Sequence, residues 1–330
     1  MIILADIMSA TVIFAIPLLV VALCCMFSER SGTINIALEG IMIVGALFSC
    51  LYLVSADKSG FGAVHPILAM FIAILVAGLA GIIFSLFLAL ASVSLKADQT
   101  IGGTALNMFA PAFAIVLTWA IQGQGQTTII IPTWVRITQS AFGLTPGKDP
   151  NFFETFIFKN FYLTTPVVLV LLAITVFVIY KTKFGLRLRA CGEHPQAADS
   201  VGINVYALRY IGVAISGFLG GIGGLAFTIA AGSGFQSTVA GYGFFALAVM
   251  IFGNWKPMRI FGAALFFALF NVIGSYSASI PFLPSFSGIK NSDYIYTMLP
   301  YIVTMLVLVL TSKKSRAPKA EGIPYDKSTR

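Results

Sequence analysis

The chain has 330 residues, a formal net charge of +8, 58% hydrophobic residues and only 10% charged ones, against roughly 25% charged in an ordinary soluble domain. With a mean hydropathy of +0.95, no water-soluble fold could hide its apolar surface, and several stretches reach the roughly 20 apolar residues that cross a bilayer core. These stretches are continuously apolar and do not alternate, which excludes barrel strands and predicts an all-α, polytopic membrane helical bundle.

In chain order, apolar runs between polar breaks predict about nine spans, at 7–27, 36–54, 64–92, 101–121, 162–180, 206–231, 239–254, 260–280 and 295–312. The first lacks the basic cluster of a secretory signal and is expected to remain as an uncleaved helix. The run 64–92 is too long for one upright helix and predicts either tilt or two short pieces. The run 239–254 is short and preceded by glycines, which points to a broken or re-entrant element.

Lys181, Lys183, Arg187 and Arg189 share one loop, Lys256 and Arg259 another, and Lys313, Lys314, Arg316 and Lys319 follow the last span. The positive-inside rule puts all three groups, and the C-terminus, in the cytoplasm; nine spans then leave the N-terminus outside. Membrane orientation accounts for the positive charge, so no nucleic-acid partner is expected. The chain divides into a membrane domain, 1–312, with a cytoplasmic loop at 181–205, and a polar tail, 313–330, with the composition of a segment that does not fold. The tail's basic start reads as a stop-transfer cluster, with anionic lipid headgroups as the alternative partner.

The loop 181–205 carries its own helix signals. Pro195 suits the first turn, His194 the cap before it and Gly202 the position past the end. This predicts about seven helical residues, roughly 10 Å long, with Ala197, Ala198 and Val201 assigned to one face. So short a helix is marginal alone in water. It needs either the protein's own loops or a cytoplasmic partner to rest on.

Four further signals carry candidate roles. Glu39 lies within an apolar span, where a carboxylate is costly; it is expected to be neutralised, paired with Arg30, or placed near a pathway, with a structural or gating part ahead of proton transfer. Asn35, Asn107, Asn254 and Asn271 suit hydrogen bonds between helices, with Asn107, beside Gly102 and Gly103, the best pathway candidate. Gly217, Gly220, Gly221 and Gly224 have the spacing that lets helix backbones approach closely. Cys24, Cys25, Cys50 and Cys191 form no disulfide or metal pattern and read as packing residues.

An intramembrane enzyme is the rival class. His65 and His194 form no zinc pair, Ser216 has no buried histidine as base, and no acid pair lies at catalytic spacing. No metal or cofactor is therefore expected on this chain. Nor does G-x-x-x-x-G-K-[ST] occur anywhere, so ATP chemistry would have to come from another polypeptide.

Three ordered stretches carry a resemblance. "FGLRLRACGEHPQAADSVGIN" resembles the cytoplasmic coupling segment of ABC importer permeases of the branched-chain amino acid and ribose type, the type II importers. "SERSGTINIALEGIMIVGALFS", 28–49, resembles the first-half signature of those permeases, and "GYGFFALAVMIFGNWKPMRIFGAALF", 241–266, their glycine-rich second half. The surroundings of Glu39 and Asn254 and the stretch "SVSLKADQTIGGTALN", ending at Asn107, are most similar to the branch that takes up nucleosides.

The resemblance implies a permease subunit in the cytoplasmic membrane of a bacterium, served by an ATPase subunit, a second related permease forming a heterodimer, and an extracytoplasmic substrate-binding lipoprotein. It assigns ATPase coupling to Arg189, Gly192, Glu193, His194, Pro195, Ala197, Ala198, Val201 and Gly202, and pathway or gating roles to Asn35, Glu39, Asn107 and Asn254. His194 stands where those permeases usually have Asn, a better helix cap. Ribose, another sugar or a branched-chain amino acid is the alternative cargo, and an ion-coupled secondary transporter the alternative machine.

Overall fold

A computed structural model describes residues 2–135, 162–275 and 316–327, together with single helical residues between 298 and 309. The described helices are α1 (Ile2–Arg30), α2 (Leu38–Lys58), α3 (Phe61–Val64), α4 (Pro66–Ala89), α5 (Gln99–Gln122), α6 (Thr164–Lys181), α7 (Lys183–Glu193), α8 (Pro195–Ser200), α9 (Val205–Ala231), α10 (Tyr242–Phe252) and α11 (Pro257–Ser275). Seven of them are long and apolar enough to cross a membrane, namely α1, α2, α4, α5, α6, α9 and α11. In hydrocarbon every backbone amide must find its partner within the chain, and a continuous helix is the simplest way to do so.

Seven of the expected spans correspond to these helices. The run 64–92 is one long helix, α4, which continues through a π-helical turn at Leu90–Ser94. The run 239–254, counted among the nine spans, is the short element its glycines pointed to. Its helix, α10, has 11 residues, about 16 Å at 1.5 Å per residue, roughly half of a bilayer core. Most of the expected span at 295–312 lies outside the described residues.

Polar residues mark where helices start. Asp98 accepts the amides of Thr100 (2.8 Å) and Ile101 (3.0 Å) at the head of α5, and Asn204 accepts Ala207 N (3.0 Å) at the head of α9. Thr182 is extended between α6 and α7; its hydroxyl accepts Gly185 N at 3.1 Å and donates to Val178 O at 2.6 Å, so the turn is closed from both sides.

α1, α2 and α9 form the enclosed centre, and α4 lies against α2 and α9. In its most apolar window α1 is 83% buried, whereas α5 is 17% buried, so α5 lies at the periphery of this chain. The expected glycine contact is present. A Cβ on Gly221 would collide with the Ala77 carbonyl of α4, and one on Gly224 with the Met42 carbonyl of α2. At the end away from the loop 181–205, Ile129 and Phe235 exchange backbone hydrogen bonds of 2.8 and 2.9 Å.

The expectation of an unfolded tail is corrected for 316–327. This segment lies over the end of the bundle that carries α7 and α8, with Ala320 and Tyr325 buried. Its polar composition serves hydrogen bonds to that surface: Ala320 N donates to the Gly192 carbonyl (2.8 Å), and Arg209 Nη1 donates to the Ile323 carbonyl (2.9 Å).

Candidate functional site

The loop 181–205 folds as two short helices. α8 has six residues and ends in a left-handed turn at Gly202 (φ +81°), with Gly202 N donating to Asp199 O (2.9 Å) and Ile203 N to Ala198 O (3.1 Å). Glycine adopts that φ without the strain a Cβ would bring. His194 holds the position before Pro195, but its side chain makes no cap hydrogen bond; the start depends on Pro195 and on Ala198 N donating to the His194 carbonyl (3.1 Å).

The face assignment is corrected too. Ala198 points inward, packed with Cys191, Val205, Leu208 and Tyr325, whereas Ala197 is exposed and Val201 is 73% exposed. Residues 197 and 201 are one helical turn apart, but 198 is rotated by about 100° from 197. Glu193, His194, Gln196 and Ser200 are exposed beside them. Gly192 is buried where a Cβ would collide with the Arg30 carbonyl. Arg189 lies against the Tyr180 ring, 5.7 Å from its centroid, and its Nε donates to Gly185 O (3.3 Å). Burial pushes the Cys191 thiol up to about 11, so it is not a thiolate nucleophile at neutral pH.

The polar residues deeper in the bundle surround two interruptions of helix, the 31–37 segment and the head of α10. Glu39, in the first turn of α2, accepts Gly241 N at 2.7 Å with Oε1 and Gly243 N at 2.8 Å with Oε2. It therefore caps α10, and a carboxylate is well matched to the positive end of a helix dipole. This cap is an arrangement the sequence alternatives did not include. Arg30 is occupied elsewhere, donating Nη2 to the Trp255 carbonyl at 3.1 Å. Gly243 is required by the approach, since a Cβ there would meet Glu39 N at 2.5 Å.

Asn107 accepts Gly40 N (2.8 Å) and donates to Ile36 O (2.7 Å), which ties α5 to the start of α2. Asn35 donates Nδ2 to Ser216 Oγ (2.8 Å), which also lies 3.2 Å from Cys24 Sγ. Glu39, Asn107 and Asn35 thus gather at the 31–37 segment and its continuation into α2. Asn254 lies at the other end of α10, in a left-handed turn (φ +52°), where its Oδ1 accepts Arg316 N (3.3 Å).

Residues that escape sequence reasoning complete both ends. Gln99 accepts Ile34 N at 2.7 Å, and Glu29 accepts the Trp255 indole and the Cys25 thiol. Glu29 was detectable as a second acid at a span end beside Arg30; nothing in the sequence links it to Trp255. Among the described residues no group of three His, Cys, Asp or Glu could hold a metal ion. These polar groups join helix ends to one another.

A bundle of apolar spans with a half-length helix, and a polar loop exposing a short helix at one end, defines a polytopic helical membrane protein. Residues 7–311 match the family described as branched-chain amino acid transport system / permease component, and the chain belongs to that family. It is a transport component and not an enzyme. It is 42% identical to the guanosine ABC transporter permease protein NupQ of Bacillus subtilis, over 99% of this chain and 98% of that one. It is 39% identical to the nucleoside ABC transporter permease protein NupC of Lactococcus lactis, over 96% and 95% of the two chains. A second permease of that Lactococcus strain, the nucleoside ABC transporter permease protein NupB, is 22% identical over 92% of this chain and 81% of its own. No solved structure matches significantly.

Proposed function

We propose that this chain is a translocation subunit of an ATP-driven nucleoside importer. The end-to-end likeness to a guanosine permease and a nucleoside permease carries the reading. ATP is hydrolysed by a separate ATPase subunit in the cytoplasm, where the loop 181–205 and the C-terminus lie, and an extracytoplasmic lipoprotein delivers the nucleoside. A second, related permease completes the pathway; that one strain has both NupC and NupB, each similar to this chain, supports a pair of different permeases.

The ATPase seats on the outward face of α8, formed by Glu193, His194, Gln196, Ala197, Ser200 and Val201. Closure of the ATPase pushes this face, and the spans shift about the pathway. Glu39, Asn35 and Asn107 act on the pathway side by holding the broken backbone in register. Val201→Asp tests the docking face without disturbing the Ala198 side. It should abolish ATPase co-purification and uptake while leaving membrane insertion intact; unchanged co-purification would overturn the assignment.

A further inference from the structure

Residues 316–327 connect places that are far apart in the chain. At the start of the segment, Arg316 N donates to Asn254 Oδ1 (3.3 Å) below α10; further along, Glu321 lies near the Glu29 carboxyl of α1. In the middle, Ala320 N donates to Gly192 O (2.8 Å) at the end of α7, and Arg209 of α9, itself buried, donates to Ile323 O (2.9 Å). Toward its end, the Tyr325 ring lies 5.3 Å from that of Tyr206 and packs into the cluster that holds Ala198. Lys327 reaches Asp199 of α8 at 3.6 Å, and Lys96, beyond α4, pairs with Asp326.

α8 has few anchors of its own. Only Pro195 and Ala198 of its six residues are buried, and Tyr325 supplies part of the surface against which Ala198 lies. The opposite end of the segment meets Asn254, and Glu321 lies near Glu29, which holds the Trp255 indole. The segment therefore lies between the exposed helix and the ends of α1 and α10.

What lies beneath it is polar. Among the described residues, buried side-chain atoms without a partner include Arg30 Nε, Thr33 Oγ1, Gln99 Nε2, Arg209 Nε and Nη2, and Glu321 Oε2. Close-packed hydrocarbon resists small displacements, whereas a hydrogen-bonded layer with spare donors and acceptors can exchange partners as it shifts.

We propose that residues 316–327 are a transmission strap: displacement of α8 is carried through Tyr325 and Ala320 to Glu29, Trp255 and Asn254, and so to α1 and α10. The proposal rests on the reading of α8 as the ATPase-docking helix. Arg209 anchors the strap at its centre, and the Lys327 and Tyr325 contacts make α8 and the strap move together.

The test uses the assembled transporter in vesicles, with labelled guanosine as the probe, and measures ATPase co-purification and guanosine taken up per ATP hydrolysed. Two variants are compared with the intact chain: a truncation ending at Ser315, and Tyr325→Ala with Lys327→Ala, which cuts only the anchors to α8. Both should retain the ATPase and hydrolyse ATP while the uptake ratio falls at least about tenfold, within the usual span of coupling between sites. If the truncated chain does not insert, the double variant decides alone. A double variant whose ratio stays within about twofold of the intact chain overturns the strap, as does one that loses the ATPase, because the segment would then be docking surface and not link. An intact assembly that holds no ATPase at all sinks the docking reading instead, a result distinct from either.

Discussion

Replacing Glu39 should unseat α10 in proportion to the acceptors removed. Its two oxygens accept Gly241 N at 2.7 Å and Gly243 N at 2.8 Å. In Glu39→Ala both amides lose their acceptor in a place where no competing partner is at hand, at about 1–3 kcal/mol each. Loss of the favourable charge at the helix start adds about 0.3–1 kcal/mol, so the total is about 2–7 kcal/mol. Glu39→Gln keeps one acceptor oxygen but turns an amide NH2 toward the second N–H, and should cost about half as much. Thermal unfolding of the detergent-purified protein should rank the three chains wild type, Gln, Ala, and labelled guanosine uptake should fall in the same order. Because the role is capping by a carboxylate, the fraction of uptake lost in Glu39→Gln should stay constant wherever Glu39 is ionised and shrink only where acid protonates it, since a protonated Glu39 caps much as Gln does. Equal thermal stability in Glu39→Ala and wild type would refute the capping argument, and a loss that grows as the pH falls would return Glu39 to proton transfer.

Gly224→Ala would drive a Cβ into the Met42 carbonyl; since backbone cannot swing aside as a side chain can, it should cost about 1–3 kcal/mol, read as a lower unfolding temperature. Cys191, buried under Tyr325 with its thiol pushed up to about 11, should resist maleimide at neutral pH in a chain lacking the other three cysteines, and should react once residues 316–330 are removed; equal labelling of both chains would contradict the packing. Burial, and then the neighbouring Glu29 carboxyl, raises Glu321 from the ordinary 4.5 to about 9. Glu29 and Cys25 of α1 are the titratable groups it faces, and Glu29 in turn accepts the Trp255 indole. The docked strap thus binds a proton that a free one releases. Its attachment should be firm below pH 4.5, weaken progressively between 4.5 and about 9, and level off above. Protease cleavage within 316–327 should accelerate over that range, and Glu321→Gln should flatten the dependence.

The spans were legible because a continuous apolar run has few alternatives in a membrane. The glycines of α9 were legible as well, since small residues at that spacing serve close approach wherever the partner comes from. Glu39 was visible as an anomaly, but its partners lie 202 and 204 residues away, and no periodicity links an acid to the amides of a distant half-helix. Asn107 was weighed toward the pathway and proves to bond the Gly40 amide and the Ile36 carbonyl; both uses call for the same amide side chain. The tail misled for another reason. Composition predicts whether a segment can bury hydrocarbon of its own, and 316–327 is instead held by backbone groups that meet Gly192 and Arg209. On α8 the residues were identified but not their sides, because Ala197 and Ala198 are alike in sequence and packing against Cys191, Val205, Leu208 and Tyr325 separates them.

The most direct measurement reconstitutes the purified chain with the proposed ATPase, second permease and binding protein, and follows labelled guanosine uptake with and without ATP. Uptake that requires ATP, is competed by other nucleosides and not by ribose, and disappears in Val201→Asp is the predicted result. ATP-dependent uptake of ribose in place of guanosine would contradict the cargo. Guanosine uptake by this chain alone, without ATP, would contradict the account at its centre.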